Sequence, residues 1–546
     1  MSDTLDIVAR NVLWNRLISV CEEQANALMR AAFGAIVREA GDLSAGVFDA
    51  NGDMLAQAVT GTPGHVNTMA ASVRAMLAHM PADTLKPGDA LVTNDPWLGA
   101  GHVFDFVVVT PAFLDGAIIG YLASTSHIVD IGGRGWSAEG ASVYEEGVTF
   151  PVLHLRRGNV LNEDLLAIVT ANSRVPHEAR GDILSLLSCN DTGVARLLDL
   201  MNEYALADLV SIAAFIFERS ASGTRAALAR APQGIYENTV QLDGYDAPIT
   251  LKARMTISDG TIAVDLSGSS LAVARGINCP LNYSAAYASF GIRALLTPEI
   301  PNNQASLDAI TITADPGLVV SAQRPSPVSA RHVVGQALPD LMLGCLEQAL
   351  PGEVLAESAG ALWTLSLSGA GKKAFSSLNV ALGGMGARPG ADGLSTTAFP
   401  SGVGSVPVES AEVASPVIYH AKEFICDSGG AGRYRGGLGQ RIEISSRIGE
   451  DMFMSAAAFE RLTCGPKGRQ SGQRGANGKV AISDGTKVTD KGMYKVPAGE
   501  RVILQTPGGG GYGDPAERDG KVLQQDLSDG LISDDAARTF YKSTKD

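Results

Sequence analysis

Leu91–Gly133 reads LVTNDPWLGAGHVFDFVVVTPAFLDGAIIGYLASTSHIVDIGG. Two apolar, β-branched runs flank a turn at Leu114-Asp115-Gly116, so the stretch predicts strand, turn, strand. Two short groups, His102-x-x-Asp105 and His127-x-x-Asp130, sit at the outer ends of these runs. A hairpin folds its ends together, so histidines 25 positions apart can meet in space. Imidazole and carboxylate converging from neighbouring strands suit a divalent metal.

Residues three apart on a strand point to opposite faces. His102 therefore belongs in a loop, where Gly99-Ala100-Gly101 gives the chain freedom to bend. Asp105 then opens the first strand, His127 closes the second, and Asp130-Ile131-Gly132-Gly133 turns away.

Around this hairpin the periodicity alternates between helix and strand. Residues 11–40 carry apolar positions at three- and four-residue steps and predict one helix. Asp42 follows in a turn. Next comes a hairpin about Asn51-Gly52, a strong turn pair between apolar runs. His65 opens a helix over 66–80, and as an isolated residue it is an ordinary loop histidine. Residues 163–225 predict two or three helices with a break at Pro176. The texture changes near Pro232 to alternating strands over 234–270. Helices follow at 281–297 and at 330–350, the latter disturbed at Pro339. From about 440 the chain reads as β, closing on the loop Pro507–Pro515 and a short helix over 522–531. The expectation is an α+β, multidomain chain with mixed and antiparallel sheets, packed helices and a β-rich C-terminal part. Domains are expected at 1–230, 231–440 and 441–546.

At 546 residues the chain is long enough for roughly two to four domains. A net charge of −15 opposes a nucleic-acid partner, whose phosphates would be repelled. The 6 cysteines are scattered without a C-x-x-C pair, which predicts reduced thiols and a cytoplasmic location. No signal peptide and no membrane span are expected, since the apolar run over 106–123 is broken by Pro111, Asp115 and Gly116. The 62 glycines predict many tight loops. Gly371-Lys372 resembles the tail of a phosphate-binding loop, but Ser366 and Lys373 break that pattern at both ends. The four-glycine run at 508–511 has no lysine and precedes no strong helix, which argues against a phosphate cradle there. No nucleophile elbow and no dinucleotide fingerprint occur, and no ATP site is expected in this chain.

Several collinear stretches carry a resemblance: NDPWLGAGHVFD, HIVDIGG, YEEGV, ANSRVPHEARGD, GINCPLN, RPSPVSAR, DSGGAGRYRGGLG and PGGGGYGDP. Together they resemble the hydantoinase B/oxoprolinase family, whose relatives include large subunits of acetone and acetophenone carboxylases. The resemblance covers nearly the whole chain. It implies a hydantoinase A-like, ATP-binding partner in a hetero-oligomer, with ATP used by that partner. It also implies a divalent metal held by Asp42, His102, Asp105 and His127; Asp42 enters only by this route. Two imidazoles and two carboxylates suit zinc, manganese or iron about equally. Three positions depart from the family's usual wording: Leu43 replaces an aromatic, Gly101 a threonine, and Ala305-Ser306 a glycine.

The implied activity is ATP-dependent hydrolysis of a cyclic amide. The partner phosphorylates the amide oxygen, and the metal's Lewis acidity makes water a nucleophile near neutral pH. Asp130 or Glu146 takes the water's proton, and the residues do not choose between them. Asp130 is also a candidate acceptor that would orient a ligating imidazole, and His65 a candidate hydrogen-bonder to substrate. A ketone carboxylase chain could use the same ligands, and a non-catalytic scaffold for the ATP-binding partner is a further alternative.

Overall fold

Asp6 starts the first helix, its carboxylate accepting from Ala9 N–H at the head of α1 (Ile7–Ala31). The structure, a computed structural model, describes residues 6–59, 62–360, 362–369 and 375–541, so Gly371-Lys372 lies outside the described residues. The single helix expected to reach residue 40 stops short and resumes as α2 (Ala35–Arg38). The cause is Asp182, whose buried carboxylate accepts from Phe33 N–H at 2.7 Å and Gly34 N–H at 3.1 Å. A neighbouring helix thus captures two backbone donors at the break, which local periodicity cannot foresee.

A seven-stranded antiparallel sheet follows, built from β1 (Leu43–Asp49), β2 (Met54–Gln57), β3 (Ala90–Thr93), β4 (Asp105–Leu114), β5 (Ala117–His127), β6 (Leu153–Arg157) and β7 (Val160–Leu161). Its order is β2-β1-β5-β4-β3-β6-β7. Both faces are covered. Phe106, Val108 and Leu122 join one core with Leu17 and Leu28 of α1 and Leu186 of a later helix. Val107, Val109, Tyr121 and Ala123 join another with Met69, Val73 and Met76 of α3 (Pro63–His79). A strand buried on both faces needs apolar side chains at every position, which explains the unbroken apolar runs of β4 and β5.

The helical stretch resolves into α4 (Glu163–Asn172), α5 (Pro176–Glu203) and α6 (Val210–Leu228), with Pro176 opening α5 where its missing N–H is harmless. Beyond 230, β8 (Gly234–Leu242), β9 (Ile249–Ser258) and β10 (Thr261–Asp265) form a meander, and β11 (Ile310–Thr313) pairs parallel with β10. Between them stand α7 (Leu281–Leu296) and the single-turn α8 (Gln304–Leu307). The helix expected over 330–350 is split into α9 (His332–Gly335) and α10 (Leu338–Ala349), with Pro339 in the first turn of the second. The largest buried cluster joins residues on both sides of 230, from Leu13 to Ala458.

Two further four-stranded sheets enclose a second core around Trp363, Phe459, Ile444 and Leu504. Strand Met493–Val496 and helices Val408–Ala414 and Asp534–Phe540 were not expected. Among the described residues no helix is long and apolar enough to cross a membrane.

Many of the glycines do not make tight loops. Segments near 384–386, 393, 429–437 and 508–511 lie side by side outside any sheet ladder, bonded through their backbones. Gly437 N–H donates to Met385 O, Gly430 N–H to Gly509 O, and Gly509 N–H to Gly437 O, each at 2.8 Å. A Cβ on Gly509 would strike Met385 O, and one on Gly436 would strike Gly509 O. Backbones this close exclude side chains, so the composition reflects packing. The N–H groups of Gly509, Gly510 and Gly511 already donate to Gly437, Glu357 and Gln473. The run at 508–511 therefore has no free donors there for a phosphate.

Candidate metal centre

Asp105 and His127 are cross-strand partners at the open end of the β4–β5 hairpin. His102 joins them from the preceding loop. Its neighbour Gly101 has φ +88, and a Cβ there would lie 2.8 Å from both Arg331 Cδ and Tyr283 Cβ. Glycine is thus required twice over, for its backbone angle and for the space. The ligand atoms of His102, Asp105 and His127 all lie within 4.8 Å of one another, and all three residues are buried.

The hydrogen bonds fix which atoms are available. His102 Nδ1 faces Ser329 O at 2.9 Å, an acceptor, so Nδ1 carries the proton. Burial, reinforced by Arg331, pulls the His102 pKa down to about 3, so the ring is neutral and Nε2 holds a lone pair. That lone pair points at Asp105 Oδ1, 2.9 Å away. His127 Nδ1 is 3.4 Å from the same oxygen.

Asp105 is kept ionised. Burial alone would push its carboxyl up, but the His65 imidazole and the Arg331 guanidinium, both bonded to it, hold it well below the usual carboxylate range. Its Oδ2 accepts from Arg331 Nη2 at 2.5 Å and from His65 Nε2 at 2.8 Å. Its Oδ1 is buried with no hydrogen-bond partner.

His65, in the first turn of α3, stands between two carboxylates. Its Nε2 meets Asp105, and its Nδ1 lies 3.3 Å from Asp42 Oδ1 without the alignment of a hydrogen bond. Burial disfavours its charge, yet Asp105 and Asp42 outweigh that and raise its pKa. Asp42 precedes β1 and lines the same narrow cavity, about 50 Å³, with His65, His102, Asp105 and His127. Asp42 Oδ1, His102 Nε2, Asp105 Oδ1 and His127 Nε2 are each buried without a hydrogen-bond partner. Unpaired buried acceptors are costly, and a divalent cation is the species that would satisfy such a set.

The Hydantoinase B/oxoprolinase family model matches residues 6–515. The chain belongs to the hydantoinase B/oxoprolinase family. It is 27% identical to a protein of Pseudomonas sp. (strain NS671) named as the B-type chain of a D-/L-hydantoinase, over 99% of this chain and 95% of that protein. The crystal structure of an ATP-dependent caprolactamase from Pseudomonas jessenii shares the fold with a TM-score of 0.89 at 23% identity, covering 98% of this chain and 96% of that one. A nucleotide-free acetone carboxylase shares it with a TM-score of 0.86 at 20% identity, covering 98% of this chain and 79% of that one.

Within this member of the family, the two residues expected to take a proton lie apart from the cavity lining. Asp130 binds the turn at Ser173-Arg174: it accepts from Arg174 N–H and, at 2.6 Å, from Arg174 Nη2. It orients the start of α5, and no bond joins it to a cavity histidine among the described residues. Glu146 Oε1 accepts from Val328 N–H at 2.7 Å and Ser329 N–H at 2.8 Å. Ser329 is the residue whose carbonyl holds His102, so Glu146 braces that histidine from one peptide away.

Arg331 is a site residue the periodicity did not single out. Besides Asp105 it donates to Ala100 O at 2.6 Å and lies 4.2 Å from the Tyr283 ring centroid. Its signal was available: it ends the RPSPVSAR stretch that carries part of the family resemblance and directly precedes the apolar run that begins after His332. The departures from family wording also find causes. Gly101 is packed against Arg331. Ser306 completes a capping box with Asn303 at α8. Leu43 is fully buried in the sheet.

Proposed function

We propose that this chain is the metal-holding component of an ATP-dependent cyclic-amide hydrolase, acting on a substrate phosphorylated by an A-type partner. The observation that carries this is the convergence of His102, Asp105 and His127, whose ligand atoms lie within 4.8 Å of one another, with Asp42 lining the same cavity. Those residues would hold a divalent cation, zinc or manganese or iron. When bound, the cation supplies Lewis acidity toward water and an amide oxygen.

The remaining roles belong to the chain itself. Arg331 and His65 occupy Asp105 Oδ2 and leave Oδ1 turned to the histidines. Ser329 O fixes the His102 tautomer, and Glu146 fixes Ser329. His65 lines the cavity, its Nδ1 3.3 Å from Asp42 Oδ1 without the alignment of a hydrogen bond. It is the group we assign to protonate the departing nitrogen. The hydantoinase relative is named as one chain of a multi-chain enzyme, which supports a partner for this chain as well.

The test is phosphate release from ATP by the purified pair. Release that needs only a cyclic amide, with ring opening, supports the hydrolase. Release that needs bicarbonate and a ketone would replace it with a carboxylase. Full activity in a His127→Ala variant would reduce this chain to a scaffold.

A further inference from the structure

A second cavity, about 580 Å³, lies beside the metal centre, and Thr62 lines both. Its size falls in the range of small-molecule sites, roughly 300–1,000 Å³. Most of its wall is apolar, with Phe290 and Phe399 among its residues. Among the described residues no acidic side chain lines it, in a chain of net charge −15. One cation does: Arg293, from the last turn of α7.

Arg293 is poorly compensated. It donates to Asn302 Oδ1 and, at 2.9 Å, to Ile300 O, both neutral acceptors. Its Nε is buried with no hydrogen-bond partner. Burial alone pulls its pKa down to about 10, and no carboxylate opposes that. Arg293 is half-buried, and a guanidinium drawn out of water is ordinarily paired with an anion. A second feature has the same sign. The 17-residue helix α3 begins at this cavity with Pro63 and Val66 in the wall. Its N-cap Thr62 makes no side-chain cap bond, and its first turn holds no acid. The positive end of a helix dipole thus faces the same space.

We infer that this cavity binds a small carboxylate with an apolar body, its oxyanion on Arg293 and its hydrocarbon part against Phe290 and Phe399. It deepens the proposal above, because such a molecule would extend past Thr62 toward the metal centre. Asn302 donates to Gln57 and Asn67, a network that fixes the guanidinium plane.

The test is calorimetric titration of the full-length chain with hexanoate, its uncharged counterpart hexanamide, and inorganic phosphate. It needs neither ATP nor turnover, and it is run with metal present and after chelation. Failure of the metal centre would leave this result intact. Hexanoate should bind, hexanamide should not, and Arg293→Met should weaken hexanoate about tenfold or more. Ala398→Phe, which fills the cavity and keeps the arginine, should weaken it as well. Equal binding of hexanoate and hexanamide would overturn the inference. So would hexanoate binding that survives both substitutions, binding of phosphate but not hexanoate, or no binding at millimolar concentration.

Discussion

His102 Nε2 and Asp105 Oδ1 are 2.9 Å apart, both buried, and both present lone pairs. Two acceptors this close repel unless a cation or proton lies between them. A bound divalent ion should therefore stabilise the fold. At one hundred times its dissociation constant a ligand adds about 2.7 kcal/mol. Chelation should lower the thermal midpoint, and readdition of metal should restore it. His102→Ala should unfold at the same temperature with and without metal. Differential scanning calorimetry reads both.

Arg331 and Asp105 form a buried pair, with Arg331 also seated on Tyr283. Arg331→Met leaves the carboxylate uncompensated on one side, and breaking such a pair costs about 3–5 kcal/mol. Arg331→Lys should recover only part of that loss, since an ammonium cannot serve Ala100 O and Asp105 as a planar fork does. Urea denaturation of the three proteins gives the order wild type, lysine, methionine.

Glu146 carries a pH signature. Burial is the main cause, and its carboxyl is pushed up to about 8 despite the N–H groups of Val328 and Ser329. An unfolded glutamate titrates near about 4.3. Between these values the native state binds the extra proton, so this contribution is full below the lower value. It is lost as pH rises toward 8. Glu146→Gln should flatten stability over that window and keep the bonds to Val328 and Ser329 through its amide oxygen. Glu146→Ala should cost about 1–3 kcal/mol for each N–H left unpaired. It should also loosen metal binding by releasing Ser329 and hence His102. Melting curves across pH, with metal titrations, separate the two variants.

The glycine layer makes a contrast between two alanine substitutions. Gly509→Ala drives a methyl into the Met385 carbonyl and should cost more than about 4 kcal/mol, enough to abolish soluble expression. Gly390 has φ +89 but open space around it, so Gly390→Ala should cost only about 1–2 kcal/mol, the strain of the left-handed backbone. Soluble yield and thermal midpoint distinguish them.

Local pattern carried the β4–β5 hairpin, the turn at Asp115-Gly116 and the helical character of 163–225 with its break at Pro176, because alternation and helical spacing are properties of neighbouring residues; the second break, after Glu203, was not marked. The loop position of His102 was legible for the same reason, with Gly101 marking the bend. Long-range partners were not. Asp182 breaks the first helix from far along the chain, Arg331 reaches Asp105 from beyond residue 300, and Glu146 acts through Ser329. The glycines at 508–511 look like a loop because a close-packed layer of backbones has no periodic signature. Asp130 has a metal-ligand spacing from His127, yet the turn at Arg174 takes its carboxylate.

The central claim is that Asp42, His102, Asp105 and His127 close on a single divalent ion. The most direct measurement is anomalous diffraction from a crystal of the full-length chain purified without chelator. A peak bounded by those four side chains, lost in Asp105→Ala, is the predicted result. Metal-replete crystals with no anomalous density between His102 Nε2, Asp105 Oδ1 and His127 would contradict it.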